Sequence, residues 1–272
     1  MNMTRFSRLF GFVAAVALVS GGAVAYANHS WEGYHWARTA NPFTLQLGDN
    51  VSSVWDGHLA LASNDWSTST VLNTVIALGN TNQKRCWPTS GRVEVCNSKY
   101  GKNRWLGLAS IWISGSHITQ GTVKLNDTYF NTAQYNTPAW RQTVMCQEIG
   151  HTFGLDHQNE TFEDANLGTC MDYTNDPDGG AGGAVNNDPS NEHPNQHDYD
   201  MLGTIYAHLD SLTTISQTLA SNHGKNRGVD VDLDNPVQWG KELKKSSDGR
   251  TSLYKRDLGN NDAVFTFVIW AE

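Results

Sequence analysis

Cysteine, proline and charge are all sparse in this chain: four Cys, seven Pro and a charged fraction of 17% over 272 residues. None of the cysteines, Cys86, Cys96, Cys146 and Cys170, forms a CxxC pair, so their spacing does not describe a zinc ribbon. Basic charge is short as well. The 19 Lys and Arg stand against 27 Asp and Glu, a formal net charge of −8, and nucleic acid is not an expected partner. Long apolar runs are missing except over residues 9–19, which are too few to span a bilayer. No internal repeat recurs.

What is present begins with that short run. Arg5 and Arg8 precede it and small residues lead to Ala25-Tyr26-Ala27, the pattern of a secretory signal peptide over residues 1–27 with a mature chain starting at Asn28. The expectation is a secreted protein without a permanent membrane anchor. Residues 1–27 hold no acid, so removing Arg5 and Arg8 leaves 17 basic against 27 acidic residues, a net charge of −10. The 245 residues after position 27, with ten Trp in the chain, suffice to bury one large core. In an exported chain an even cysteine count favours disulfides. Three pairings are possible; joining nearest neighbours in sequence gives Cys86–Cys96 and Cys146–Cys170.

Coarse periodicity places the elements. Residues 35–47 read as extended, and a helix follows with Val54, His58, Leu61 and Ala62 at helical spacing and Asp49 or Ser52 as a cap. Residues 70–78 are rich in β-branched side chains and read as a strand. The polar stretch 79–104 reads as a loop or hairpin insertion, and residues 105–113 and 118–125 as strands joined by a turn. A helix starts at Thr137 as N-cap with Pro138 in its first position and ends by Gly154. Residues 174–193 read as a long irregular loop, 196–219 as a last helix, and 263–270 as an apolar strand. Strands first and helices after favour an α+β domain over 28–222, with 223–272 as a β extension packed on it.

The chemistry concentrates in Gln147-Glu148-Ile149-Gly150-His151-Thr152-Phe153-Gly154-Leu155-Asp156-His157. Positions 147 and 151 are four apart and project from one helix face, as two ligands to one metal must, with Glu148 beside them. Gly154 can adopt a backbone conformation closed to other residues and so return His157 toward the same point. Downstream lies Thr169-Cys170-Met171-Asp172-Tyr173.

These residues resemble the metzincin metallopeptidases. Glu148, His151, Gly154 and His157 match HExxHxxGxxH, with Gln147 in place of the first histidine. Met171 matches the methionine of the Met-turn, and Tyr173 the tyrosine that astacin-like and serralysin-like members place beside the zinc. The resemblance covers residues 137–173. It implies a mixed twisted sheet with an active-site helix, Met-turn and C-terminal helix, around a Zn²⁺ cleft floored by residues 137–153. It also implies hydrolysis of protein or peptide substrates, with His151, His157 and Gln147 as metal ligands, Glu148 as general base and Tyr173 as an oxyanion or ligand group. The Cys146–Cys170 bridge would tie the helix to the turn. Between Asn28 and this helix no inhibitory cysteine of a prodomain is visible.

Gln147 leaves three arrangements open: a weak amide ligand, a set completed by Tyr173 or another residue, or no tightly held zinc. The rival to the enzyme reading is a secreted binding protein of the same fold that lost hydrolysis when position 147 became Gln. His193 and His197 could substitute for the missing imidazole, though capping or solvating their helix is the simpler role. Asp172 is expected to satisfy backbone groups of its turn. The loop from Asn175 to Gly180 offers oxygen ligands for Ca²⁺ but does not match an EF-hand.

Overall fold

The computed structural model describes residues 29–180, 187–215 and 231–271. The expected signal peptide, 1–27, and the far end of the last expected helix, 216–219, lie outside these residues. The elements are β1 (His35–Trp36), β2 (Phe43–Asn50), α1 (Asp56–Trp66), β3 (Leu72–Leu78), β4 (Val93–Ser98), β5 (Trp105–Ser114), β6 (His117–Asn126), α2 (Asp127–Phe130), α3 (Pro138–His151), α4 (Gln196–Ile205), a 3₁₀ turn (Pro236–Trp239), β7 (Lys241–Lys245), β8 (Thr251–Gly259) and β9 (Asp262–Trp270). This is a mixed architecture with a largely sheet core and a few helices.

One nine-stranded sheet runs β3, β2, β4, β6, β5, β9, β8, β7, with β1 paired to β6 off this path. The first four are parallel neighbours, and the pairs from β6 through β5, β9 and β8 to β7 are antiparallel. Near the middle, β5 is buried at every residue but its last. Its two faces serve two cores. Leu106, Ala109, Ile111 and Ile113 join the large core with the helices, while Trp105, Leu108 and Trp112 pack with Val231, Leu233 and Trp239. A strand covered on both faces reads as a continuous apolar run rather than an alternation.

The sequence logic holds at α3. Thr137 accepts the Trp140 backbone N–H at 3.2 Å, Pro138 opens the helix, and twelve of its fourteen residues are buried. Trp66 at the end of α1 is fully buried and donates its indole N–H to the Cys146 carbonyl at 3.1 Å, fixing one helix against the other. Both expected disulfides are formed, Cys86–Cys96 and Cys146–Cys170, each with a Cα separation of 5.9 Å.

Three expectations need correction. The stretch 79–104 is not only loop, because β4 inserts there as a parallel strand between β2 and β6. Its Glu94 is buried yet satisfied by Arg92 and Asn50, so polar sequence hides a central strand. Helix α1 starts at Asp56 without a side-chain cap; Asp49 and Ser52 lie upstream, Val54 is exposed, and the buried face is Leu59, Ala62, Ser63 and Trp66. Helix α4 ends at Ile205 instead of continuing, since the chain beyond Tyr206 turns so that the Asp210 N–H reaches the Arg38 carbonyl at 2.9 Å. Within 223–272, expected to be β, the polar segment 224–250 contributes β7, an exposed lysine-rich edge strand with no burial alternation to mark its bounds.

Candidate metal centre and catalytic glutamate

Gly154 makes the site possible. Its φ of +96° is left-handed, and a Cβ there would collide with the Tyr34 carbonyl, so the chain turns back immediately after α3. The turn is pinned by the Trp31 N–H donating to the Gly154 carbonyl at 3.1 Å. Three residues on, His157 faces His151.

The two imidazoles meet through Nε2 at 2.9 Å, and the Tyr173 hydroxyl lies 2.8 Å from His157 Nε2. Each Nδ1 is already engaged: that of His151 with the Leu155 carbonyl at 2.8 Å, that of His157 with Glu160 Oε1 at 3.2 Å. With Nδ1 donating, both Nε2 atoms carry lone pairs toward one point. Burial, with the neighbouring His157, holds His151 well below the ordinary imidazole range, so it is neutral. Two lone pairs at 2.9 Å repel unless a proton or a metal ion lies between them, and zinc accepts such donors at about 2.0–2.1 Å.

Glu148 and Gln147 lie on α3 one helical turn before His151. Glu148 is fully buried and neither carboxylate oxygen has a hydrogen-bond partner; Gln147 is 2% exposed and its Nε2 is also unpartnered. Burial alone pushes the Glu148 carboxyl well above its ordinary range. Room for it comes from Gly107 in β5, where a Cβ would lie 2.5 Å from Glu148 Oε1. Met171 is buried with its sulfur against Gly150 of α3, and a Cβ on that glycine would meet the sulfur at 2.6 Å. Asp172 accepts the Leu167 backbone N–H at 2.8 Å, as expected of a turn carboxylate, and burial raises it to about 6.

The other candidates go elsewhere. His193 pairs with Asp65 at 2.7 Å, while His197 meets Gln158 at 2.6 Å and stacks on His29. Among the described residues, the clusters with metal-ligand spacing are Asp156, His157 and Glu160, and His35, His117 and Asp210; the acidic loop at 175–180 forms none.

The cleft expected above α3 is closed. His151 is 0% and His157 8% exposed, because the Phe267 ring of β9 stacks on His151 at 4.1 Å and Trp31 stacks on both rings of that pair. Beside them Lys244 of β7 bridges Glu160 at 2.9 Å and Asp156 at 3.5 Å, at the rim of a small recess that Thr251 and Leu253 also line. Burial would raise the Glu160 carboxyl, but His157 and Lys244 outweigh it and bring it down to about 2. Sequence reading missed Trp31, Lys244 and Phe267, which carry no motif. Gly107 alone left a trace, a glycine inside a strand pattern, the mark of a close approach.

Comparison with known proteins adds little. No family model matches the chain, and no curated protein matches it. Among solved structures it is similar to high choriolytic enzyme 1, a hatching-enzyme zinc-protease from Oryzias latipes, the medaka fish. The identity is 11%, the TM-score 0.35, and the match covers 65% of this chain and 96% of that one. A likeness this low carries no argument about fold or function, and the functional reading rests on the geometry of the site.

Proposed function

We propose that the chain is a secreted zinc-dependent endopeptidase whose metal is held by His151 and His157, with Tyr173 and Gln147 beside it and Glu148 as general base. The observation that carries this reading is the convergence of two imidazole Nε2 atoms and a tyrosine hydroxyl at 2.8–2.9 Å, at the end of the helix that buries an unpartnered glutamate. A glutamate so buried adds nothing to a purely structural metal site. It suits a group that must take a proton in a dry environment.

Zinc bound by these imidazoles would acidify a water and polarise a peptide carbonyl. The protein's own residues do the rest. His151 and His157 are oriented by their Nδ1 partners, the Leu155 carbonyl and Glu160. Glu148, once ionised, accepts the proton released as water attacks and passes it to the leaving amine. Tyr173 donates a hydrogen bond to the carbonyl oxygen as that atom gains charge.

The closed conformation sets a condition on this chemistry. While Phe267 and Trp31 cover the imidazoles, no peptide reaches them, and the desolvated Glu148 stays protonated and cannot act as a base. Turnover therefore requires β8 and β9 to yield at this point, which admits substrate and rehydrates Glu148 in one movement. The same closure favours the binding-protein alternative if it never opens.

The test is metal content together with hydrolysis. Purified mature protein is expected to cleave an unstructured protein substrate, to stop with a chelator and to resume when zinc is restored; His151→Ala/His157→Ala is expected to lose one equivalent of zinc and all cleavage. Equal zinc content in that variant and the parent would refute the assignment of the ligands.

A further inference from the structure

Four residues that the motif never touched converge on another part of the sheet. The parallel pairing of β1 with β6 sets His35 and His117 side by side as Cα partners, and the segment after α4 brings His208 and Asp210 against them. One oxygen of Asp210, Oδ2, is taken by Arg38, whose backbone N–H and guanidinium reach it at 3.1 and 3.0 Å. The other oxygen faces three imidazole Nε2 atoms: His117 at 3.2 Å, His35 at 3.5 Å and His208 at 3.6 Å.

The chemistry of that arrangement is specific. His35 Nδ1 lies 2.7 Å from the Gly33 carbonyl and donates to it, so the neutral ring directs the Nε2 lone pair at an anionic oxygen. Such a contact needs a cation, either a proton on the ring or a metal shared between the groups. The separations of 3.2–3.6 Å leave room for the metal, since ligands bound tetrahedrally to zinc at 2.0–2.2 Å sit about 3.3–3.5 Å apart.

The ligand atoms of His35, His117 and Asp210 all lie within 4.8 Å of one another. The rings of His117 and His208 stand edge-on to His35 at 5.0 and 4.7 Å, converging on the carboxylate rather than stacking beside it. His35 is buried, His117 half-buried and His208 exposed, which leaves a path for an ion from solvent.

We propose that His35, His117, His208 and Asp210 form a second zinc site, separate in every residue from the Glu148 centre. Three imidazoles and one carboxylate suit zinc among the biologically common divalent ions. The ligand atoms of His35, His117 and Asp210 already stand together, and the exposed His208 ring, 3.6 Å from Asp210, completes the shell on metal binding; four protein ligands make the ion structural, tying β1 and the chain after α4 to β6.

Equilibrium dialysis of the mature chain against zinc, followed by metal analysis of the protein, tests this independently of the peptidase reading. His151→Ala/His157→Ala is expected to keep one equivalent, and His117→Ala/His208→Ala to bind one fewer than the parent. If the first variant, folded by circular dichroism, binds none, or the second binds as many as the parent, the second site is refuted. If instead His151→Ala/His157→Ala binds as many as the parent, the Glu148 centre fails while this site stands. Should His117→Ala/His208→Ala not fold, His208→Ala decides, since its side chain is exposed. A loss of zinc affinity beyond the roughly 10–100-fold cost of removing an outer-shell partner supports the proposal, and unchanged affinity refutes it.

Discussion

Buried without a hydrogen-bond partner, the Glu148 carboxyl destabilises the closed fold when ionised and not when protonated. Its folded value lies above the unfolded 4.5, so as pH rises past about 4.5 the unfolded chain gives up this proton first and stability falls. The contribution is at most about 1.4 kcal/mol per pH unit. Glu148→Gln removes that dependence with almost no change of shape. We expect the parent to lose stability relative to the variant in denaturant titrations between about pH 5 and 7; parallel curves would mean that Glu148 is not desolvated as described. At the neighbouring position, Gln147→His is expected to raise zinc affinity by roughly tenfold or more, because an imidazole replaces an amide on the helix face that carries His151. Unchanged affinity would place residue 147 away from the metal.

At the scale of elements, α3 and the turn at Cys170 depend on each other. The Cys146–Cys170 bridge closes a separation of 24 residues and joins the neighbours of Gln147 and Met171. Cys146→Ser/Cys170→Ser is expected to lose about 2–5 kcal/mol of unfolding free energy, and a loss below about 1 kcal/mol in urea titration would show that packing alone holds helix and turn. The same elements show what sequence reveals. Helix α3, both disulfides and the strands β5, β6 and β9 were legible because capping, cysteine pairing and apolar runs are local signals. In contrast, β4 was hidden because its buried Glu94 pairs with Arg92 just before the strand and with Asn50, distant in sequence on β2, and the bounds of β7 because an exposed edge strand has no apolar face. His151 and His157 were legible from spacing; Trp31 and Phe267, which cover them, come from the two ends of the described chain and left no sequence pattern.

Across the whole molecule, the C-terminal strands are both structure and cover. By hydrogen bonding along β5, β9 occupies the edge above the helix that carries Glu148, and Phe267 closes the imidazoles from solvent. Phe267→Ala opens that cover while keeping the β9 backbone pairing. Its rate of peptide hydrolysis is expected to exceed the parent's, at a stability cost of roughly 3–5 kcal/mol for truncating a buried phenylalanine; an unchanged or lower rate in folded, zinc-loaded protein would show that this ring is not the barrier.

The most direct measurement is the rate at which zinc-loaded mature protein cleaves an unstructured substrate, compared with Glu148→Gln carrying the same zinc. If Glu148 is the general base, the variant keeps its metal and its fold and loses about 10²–10⁴-fold in rate. Equal rates in the two proteins, or no cleavage by the parent and by Phe267→Ala alike, would contradict the account.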